Sequence, residues 1–351
     1  MDEPAAPPPA VDAPGRPPRS PLPLLIGAAI LAGLLVVAAL VLVRTVGHRT
    51  GPPVAHSHPP SAVKLGPPAI PAQGAYLGAW SKPAKFSDDG RRQAIATLER
   101  GIGRKLDIVH TYHVWDDPFP STSDLDFLHR GYLLQLSWAG TQLASINSGQ
   151  FDAMIHQRAK AVRAAGKPLF MEWRWEMDRP NLASLGTAAE YVAAWRHIKT
   201  IFDQEGATNA AWVWCPTADG FADGRAKAFY PGDKWVDWTC VDAYPGPTWR
   251  PMSDLLAPFL SWARAHRKPI MIGEYGVARD RTPQARAAYL TAAEATFRGH
   301  PEIKAVSYFD SNPAGHTSRR QYSVDDDPVA LRALAQQAAS TYFNPQRLRV
   351  G

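Results

Sequence analysis

Eight short apolar runs alternate with amphipathic stretches along most of the chain, and this rhythm limits the possible folds more than any other feature. Each run has the length of a strand and is bounded by turn-forming residues, which is typical of β-structure. The predicted strands are Ala75–Trp80, Leu106–His113, Tyr132–Trp138, Pro168–Glu176, Ala210–Cys215, Val236–Tyr244, Pro269–Tyr275 and Lys304–Asp310.

The stretches between these runs carry apolar residues at helical spacing. The predicted helices are Gly90–Ile102, Phe151–Ala165, Thr187–Gln204, Pro251–Ala265, Thr282–Phe297 and Pro328–Tyr342, with shorter turns at Ser123–Leu128 and Gly224–Phe229. Strands and helices that alternate in this way predict a closed parallel (β/α)8 barrel, a TIM barrel in the α/β class. A doubly wound open sheet is the alternative, but no glycine-rich phosphate loop follows the first strand.

The N-terminal region differs in composition and is predicted to lie outside the barrel. Residues 1–23 are rich in Pro and Ala and predict a disordered tail. Residues 24–43, LLIGAAILAGLLVVAALVLV, lack charge and are long enough to span a bilayer as an uncleaved signal anchor. Residues 44–73 predict a Pro-rich linker, and residues 74–345 are the predicted barrel domain.

The predicted anchor makes the chain a single-pass protein of the cell membrane. Basic residues flank the apolar segment on both sides, so their count does not decide its orientation. We expect the barrel to be extracellular because of the chemistry inferred below.

Charge and cysteine content exclude some classes of protein. The formal net charge is +6, but Lys and Arg are scattered along predicted helices, so we expect no nucleic-acid partner. The two cysteines, Cys215 and Cys240, are too few for a disulfide framework and lack the partners of a zinc site. Either they form one disulfide bridge in an oxidising compartment, or they remain two small buried residues without a bridge.

Two predicted strands end in a glutamate, and both begin with Lys-Pro. The first stretch is KPLFMEWRWEMD, residues 167–178, and leads to Glu176; the second is KPIMIGEYG, residues 268–276, and leads to Glu274. An acidic side chain in an apolar strand is costly unless it has a partner or a task. Glu172 and Arg174 are predicted to form a buried pair beneath Glu176.

The two glutamates are predicted to face each other across the barrel mouth, because the carboxyl ends of the strands form the active face of such barrels. Paired carboxylates suit glycoside hydrolysis, in which one is the acid and base and the other the nucleophile. Trp175 is expected to raise the pKa of the acid by desolvation, while Tyr244 and Arg174 are candidate donors to the nucleophile. The alternative is a structural ion pair of Glu176 with Arg174 or Arg179.

Several motifs together resemble glycoside hydrolase family 26, a family of retaining β-glycosidases built on the TIM barrel. The matching residues are Gly78-Ala79-Trp80, Trp175-Glu176-Met177-Asp178, Trp212-Val213-Trp214, Tyr230-Pro231-Gly232-Asp233, Val241-Asp242-Ala243-Tyr244 and Gly273-Glu274-Tyr275-Gly276. The resemblance implies that Glu176 is the acid/base, that Glu274 is the nucleophile, and that Tyr244 lies near Glu274. It also implies β-linked mannan as the usual substrate, glucan or xylan in some members, and no cofactor.

The motif around Glu176 departs from the family pattern. Trp175 stands where the family usually has His, and Glu172 stands where it often has Arg. Asp178-Arg179-Pro180 replaces the usual Asn-Gly, and the end of the eighth strand reads Tyr308-Phe309-Asp310, without the usual Trp. These changes surround the sugar beside the bond that is cut, so they bear on which glycan is bound.

Other side chains at predicted strand ends are candidates for sugar binding. With those already named, the predicted substrate-binding set is Trp80, His113, Trp115, Trp138, Arg174, Trp175, Trp214, Tyr244, Trp249 and Asp310. Trp212 and Trp214 share a parity and are predicted to point into the barrel or its mouth. No metal site is predicted, because the His and Asp residues after the second strand lack recognisable ligand spacing.

The sequence therefore predicts a membrane-anchored retaining β-glycanase that binds a polysaccharide or oligosaccharide. Two alternatives remain open: an envelope transglycosylase that uses the same glutamates, and a non-catalytic surface carbohydrate-binding protein.

Overall fold

The computed structural model describes residues 66–312 and 320–343, and they contain a closed barrel of eight parallel strands in chain order. The strands are β1 (Tyr76–Ser81), β2 (Ile108–His113), β3 (Leu133–Trp138), β4 (Leu169–Trp173), β5 (Ala210–Trp214), β6 (Trp238–Ala243), β7 (Ile270–Tyr275) and β8 (Ile303–Asp310). β8 pairs with β1 in parallel and closes the ring. The predicted (β/α)8 fold is confirmed.

Helices follow the strands and cover the outside of the barrel. They are α1 (Asp88–Ile102), α2 (Thr122–His129), α3 (Leu143–Asn147), α4 (Asp152–Ala165), α5 (Ala188–Gln204), α6 (Ala218–Ala222), α7 (Met252–Ala263), α8 (Pro283–Arg298) and α9 (Pro328–Ala339). Polar side chains begin several of them; the Thr187 hydroxyl accepts from the Glu190 amide, and Glu190 accepts from Thr187 in return. Gly166, with a positive φ, ends α4 as a left-handed cap.

The predicted fourth strand is too long at its C-terminal end. β4 stops at Trp173, and the chain turns immediately, with positive φ values of 47° at Arg174 and 52° at Glu176. Glu176 therefore lies in a loop after the strand and not at its last position. The alternation of side chains that the sequence suggested for residues 172–178 is broken by this turn.

The interior of the barrel is apolar at the amino ends of the strands and polar above. The apolar part is a separate cluster that includes Tyr76, Ile108, Phe170, Trp238 and Met271. A polar layer lies above it, where Gln135, Glu172 and Ser307 are all buried. Functional polar groups therefore stand on an apolar floor that keeps water away from the lower barrel.

Tryptophans of β5 point outward, contrary to the prediction. Trp212 contacts Trp195 of α5 at 5.4 Å between ring centroids, and Trp214 contacts Trp262 of α7 at 5.2 Å. Alternate residues of a strand face opposite sides of the sheet. The inward positions belong instead to Ala211 and Val213, so the shared parity was correct and the direction was wrong.

The two ends of the described barrel are joined. The Ala75 amide donates to the Tyr342 carbonyl at 2.9 Å, and buried Arg286 of α8 pairs with Asp327 at the start of α9 at 2.6 Å.

The predicted tail, anchor and most of the linker lie outside the described residues. Within residues 66–312 and 320–343, no helix is long and apolar enough to cross a membrane.

Candidate active site

Glu274 lies on β7 with its carboxyl group held by two tyrosines. Tyr112 of β2 donates to Oε1 at 2.5 Å, and Tyr244, just after β6, donates to Oε2 at 2.6 Å. The glutamate is 6% exposed. Hydrogen bonds of this kind favour the charged form of a carboxyl group, so both tyrosines oppose the effect of burial on Glu274.

Glu176 is placed by the turn that follows β4. Its backbone amide donates to the Cys215 carbonyl at 2.7 Å, which ties the turn to the end of β5. Arg179, three residues on, donates from Nη2 to Glu176 Oε1 at 2.5 Å. The ion pair that the sequence offered as an alternative therefore exists, with Arg179 as the partner.

Glu176 and Glu274 approach each other closely at the carboxyl end of the barrel. Glu176, Asp242 and Glu274 each contribute a carboxyl oxygen, and these three oxygens lie within 4.8 Å of one another. A shift of register between β6 and β7 aligns Asp242 directly with Glu274. The structure thus brings together the two glutamates that the sequence paired from a distance.

Burial raises the pKa of these carboxyl groups. For Glu176 desolvation is the largest cause, opposed by Arg179 and reinforced by Glu274, and its pKa rises to about 8. For Glu274 desolvation also raises the pKa, but the hydrogen bonds from Tyr112 and Tyr244 oppose it. Asp242 has its pKa raised well above the usual value by desolvation and by the neighbouring glutamates.

A second carboxyl group, Glu172, lies in the polar layer below this pair. It accepts hydrogen bonds from Ser137 and from Gln135, the latter at 3.1 Å. Desolvation raises its pKa to about 7. The predicted pair of Glu172 with Arg174 is wrong, because the turn after β4 carries Arg174 away: its guanidinium donates to the Leu182 carbonyl at 3.2 Å.

Three of the predicted sugar-binding residues lie around the pair. Tyr244 contacts Glu274 directly. Trp80 and Trp175 both pack edge-on against Tyr112, at 5.1 Å and 5.0 Å between ring centroids. Trp175 is half-buried in a site where its neighbours are buried, so part of its ring surface is open to solvent.

Four predicted sugar-binding residues are instead part of the packing between sheet and helices. His113 pairs with buried Asp124 of α2 at 2.8 Å. Trp115 stacks on Trp138 with centroids 4.4 Å apart and planes 3° from parallel. Together with Trp214, these side chains occupy the outward parity of their strands or the loop beside them, which the sequence alone did not distinguish from the inward one.

Arg174, Trp249 and Asp310 lie on the carboxyl side of the barrel but are engaged in other contacts. Arg174 packs across Gly140, where a Cβ atom would lie 2.6 Å from Arg174 Cδ. Trp249 donates to Asp280 at 3.0 Å. Asp310 accepts from Ser81 at 2.9 Å and from the Val324 amide at 3.0 Å, so it holds a loop in place.

Sequence reasoning missed Tyr112, Asp242 and Tyr322. Tyr112 and Asp242 share the inward parity of their strands with His110 and Cys240, a signal that was available once the strand bounds were known. Tyr322 packs on Tyr244 at 4.7 Å between centroids. It follows β8 by more than ten residues, and residues 321–324 around it have neither strand nor helix structure, so no pattern pointed to it.

Two groups of buried side chains among the described residues have the spacing of a cation site. Glu176, Asp242 and Glu274 have suitable spacing, as do Glu172 and Asp242 with the two cysteine sulfurs. Arg179 and two tyrosine hydroxyls already donate to the glutamates. The sulfurs form a disulfide between Cys215 and Cys240, which leaves no thiolate to bind a metal. The donor set therefore does not fit a resident metal ion.

The fold and these two unlike glutamates define a class, the (β/α)8 barrels with a carboxylate pair at the carboxyl end. The model of Glycosyl hydrolase family 26 matches residues 171–297, a segment that includes Glu176 and Glu274. The match confirms the predicted resemblance to this family over that segment, and the predicted enzyme class, a glycoside hydrolase, is the class that the family's name states.

Two curated relatives are similar to this chain over part of its length. Endoglucanase H of Acetivibrio thermocellus is 27% identical over 297 residues, which cover 78% of this chain and 31% of that protein. Beta-1,3-xylanase TXYA of Vibrio sp is 28% identical over 142 residues, covering 38% of this chain and 28% of the xylanase. The chain thus spans less than a third of the length of either relative.

Solved structures share the fold at low sequence identity. The catalytic domain of a GH26 endo-beta-1,4-mannanase from Bacillus sp. JAMB-750 has a TM-score of 0.61 and 14% identity, covering 79% of this chain and 89% of that one. A GH26 beta-mannanase from Bacteroides ovatus has a TM-score of 0.59 and 14% identity, with 77% and 90% coverage. At this identity the likeness is one of fold.

Proposed function

We propose that this protein is a retaining β-glycoside hydrolase in which Glu274 is the nucleophile and Glu176 the acid and base. One observation carries the proposal: Glu176 and Glu274 are both buried, in unlike surroundings, and a carboxyl oxygen of one lies within 4.8 Å of a carboxyl oxygen of the other. Retaining enzymes place their carboxyl groups roughly 5–5.5 Å apart, whereas inverting enzymes need roughly 6.5–9.5 Å to admit a water molecule. The observed approach supports the retaining arrangement.

The surroundings support the division of roles. Glu176, with a pKa of about 8, is protonated at neutral pH and has a proton to give to the leaving oxygen. Glu274 accepts from two tyrosines, which stabilise its charged form for attack on the anomeric carbon. In the second step Glu176, now ionised, takes a proton from the water that releases the sugar.

The experiment that tests this mechanism uses Glu274→Ala and Glu176→Gln. Glu274→Ala is expected to lose about 10⁴-fold or more in kcat, since no covalent intermediate can form. Glu176→Gln is expected to lose far more activity on natural glycans than on dinitrophenyl glycosides, whose leaving group needs no acid. Glu302→Gln, at a partly exposed position in the turn before β8, is the matched control.

Wild-type turnover by Glu274→Ala would contradict the proposed mechanism. Equal losses on both kinds of substrate in Glu176→Gln would contradict the acid role of Glu176. Sugar binding without turnover by the wild-type protein would favour the alternative of a carbohydrate-binding protein.

We propose a β-linked polysaccharide as the substrate. The relatives named above are an endoglucanase and a β-1,3-xylanase, and the structural neighbours are mannanases. Trp175, where the family usually has His, stands beside the site and is the feature that most favours a glycan other than mannan. A panel of β-mannans, β-glucans, β-xylans and envelope polysaccharides, with analysis of product length, distinguishes these substrates. Products longer than the substrate would favour transglycosylation.

We also propose that residues 24–43 anchor the protein in the cell membrane with its barrel outside. The support is the length and apolarity of this segment, which lies outside the described residues. A cysteine introduced in the linker of the full chain should react with an impermeant thiol reagent on intact cells. Protection of that cysteine until the cells are broken would overturn the orientation.

A further inference from the structure

The Tyr112 hydroxyl has one proton and two neighbouring acceptors. Glu274 Oε1 lies 2.5 Å from its oxygen, and His110 Nδ1 lies 3.4 Å away. Both rings are buried, and their centroids are 4.3 Å apart on the inner face of β2. A hydroxyl placed between two acceptors can donate to only one of them at a time.

The far side of the His110 ring determines which nitrogen carries its proton. Ser307 donates to Gln135 Oε1 at 2.8 Å, which fixes the orientation of that amide. In this orientation Gln135 Nε2 donates to Glu172 Oε2. That oxygen is therefore an acceptor, and Ser137 donates to it as well.

Because the Ser137 hydroxyl donates its one proton to Glu172, the Ser137 oxygen accepts a hydrogen bond from His110 Nε2 at 2.7 Å. Burial lowers the pKa of His110 to about 3, so the ring is neutral. A neutral ring with its proton on Nε2 has a lone pair on Nδ1, facing Tyr112.

Tyr244, the second tyrosine on Glu274, has no such alternative among the described residues. Its hydroxyl donates to Oε2 at 2.6 Å, and its ring packs against Phe309 and Tyr322, at 6.2 Å and 4.7 Å between centroids. The two oxygens of Glu274 are therefore not equivalent, because only the donor to Oε1 has a second acceptor.

This difference matters in the reaction under "Proposed function", on which the inference rests. When a Glu274 oxygen bonds to the anomeric carbon, the glycosidic bond breaks and its electron pair goes to the leaving oxygen, which takes the proton of Glu176. The bonded oxygen loses its charge and becomes a weaker acceptor. The tyrosine that donated to it needs another acceptor or is left unsatisfied in a buried place, at a cost.

We propose that Oε1 of Glu274 is the attacking oxygen and that His110 is a positioning residue, which accepts the Tyr112 hydrogen bond while the sugar is attached. Water then attacks the anomeric carbon and gives a proton to Glu176. The electron pair of the sugar–Oε1 bond returns to Glu274, and Tyr112 turns back to it. Gln135, Ser137 and Glu172 keep the imidazole in the required tautomer.

The test compares His110→Leu, which removes the acceptor, with His110→Asn, whose Oδ1 can take the place of Nδ1. Formation of the glycosyl-enzyme is followed as the burst of dinitrophenol from dinitrophenyl β-cellobioside, β-mannobioside and β-xylobioside. We expect His110→Leu to slow the burst by about five- to tenfold, the worth of one hydrogen bond, with KM changed by less than about twofold. His110→Asn should recover most of the rate.

His113→Leu is the matched control, since His113 is a buried histidine of the same strand that pairs with Asp124 on the outer face. An equal fall in burst rate in His113→Leu, or equal impairment of His110→Asn and His110→Leu, would overturn the role of His110. The wild-type enzyme trapped with a fluorinated sugar gives an independent test. Tyr112 should then lie closer to His110 Nδ1 than to Glu274, with the sugar on Oε1; a sugar on Oε2 would overturn the proposal.

Failure of the underlying function is distinguishable. A wild-type protein without turnover or burst on any of these substrates would count against the glycosidase mechanism itself. A normal wild-type burst with no effect of His110→Leu would count against the inference alone.

Discussion

Glu176 and Glu274 show how two identical side chains acquire different chemistry from their neighbours. Glu176 has one cationic partner, Arg179, while Glu274 has two neutral donors, Tyr112 and Tyr244. Burial raises the pKa of both, and the contacts determine how much of that increase remains. Their titrations are linked, because each charge disfavours the other.

For these two glutamates we predict a bell-shaped dependence of kcat/KM on pH. Activity needs Glu176 protonated, so it should fall as pH rises through about 8, the pKa of this group. Activity also needs Glu274 ionised, so it should fall again at low pH, with the acidic limb above the usual glutamate value since burial raises this pKa. Initial rates measured across the pH range give both limbs.

The matched variant for this profile is Glu176→Gln assayed on a dinitrophenyl glycoside. Because glutamine does not titrate and this leaving group needs no acid, the alkaline limb should disappear while the acidic limb remains. Persistence of the alkaline limb would assign it to another group.

The sequence allowed the two glutamates to be paired, because each follows a Lys-Pro strand at a corresponding place in the rhythm of the chain. It did not reveal that Arg174 and Glu172 separate, since that depends on a turn with positive φ at Arg174 and Glu176. Such conformations are uncommon for residues other than glycine, and no residue type marks them. The Tyr112 contact joins residues 162 positions apart, beyond the reach of local pattern.

Strands and helices were more predictable than the contacts between them. All eight predicted strands are present, because each is a short apolar run between polar turns, although the fourth was predicted to extend past Trp173 to Glu176. The inward or outward direction of a strand was not predictable where both faces are buried, as in β5, because both parities are then apolar. This is why Trp138 and Trp214 were expected at the barrel mouth, whereas Trp138 stacks on Trp115 of the loop after β2 and Trp214 packs against Trp262 of α7.

A further prediction concerns Gly273 of β7, where the neighbouring atoms leave no room for a side chain. A Cβ atom on Gly273 would lie 2.6 Å from the sulfurs of both Cys215 and Cys240 and 2.7 Å from Asp242 Oδ1. Gly273→Ala should therefore push β7 away from β5 and β6, destabilising the protein by about 1–3 kcal/mol and lowering kcat through displacement of Glu274.

Gly299→Ala, at the end of α8, is the control, since its added Cβ would meet only ordinary contacts of 3.4 Å or more. Chemical denaturation and kcat measured on both variants check the prediction. A Gly273→Ala protein as stable and active as Gly299→Ala would show that the three neighbours move aside freely.

For the whole molecule, the buried carboxyl groups predict how stability changes with pH. The pKa of Glu172 rises to about 7 and that of Glu176 to about 8 in the folded protein, so the folded state holds protons that the unfolded state has released. This contribution to stability is complete below the unfolded pKa and is lost as pH rises through the folded values. Tm should therefore decrease from about pH 5 to about pH 9.

Glu172→Gln keeps an acceptor for Ser137 but cannot ionise, so its Tm should decrease less steeply over the same range. The same change at the barrel surface, Glu99→Gln, provides the comparison, since Glu99 is less buried and accepts hydrogen bonds from Tyr132. A wild-type Tm that rises across this range would mean that other groups dominate the linkage.

The disulfide of the barrel has a consequence for how the protein is made. Cys215 and Cys240 are 1% and 0% exposed, and the closed ring of strands surrounds their sulfurs. An oxidant or a thiol reagent cannot reach them unless the ring opens. Two preparations of identical sequence, one folded in a reducing cytoplasm and one exported, should thus differ by two hydrogen atoms at the floor of the site. Intact mass under non-reducing conditions would reveal which form has been purified before any rate is compared.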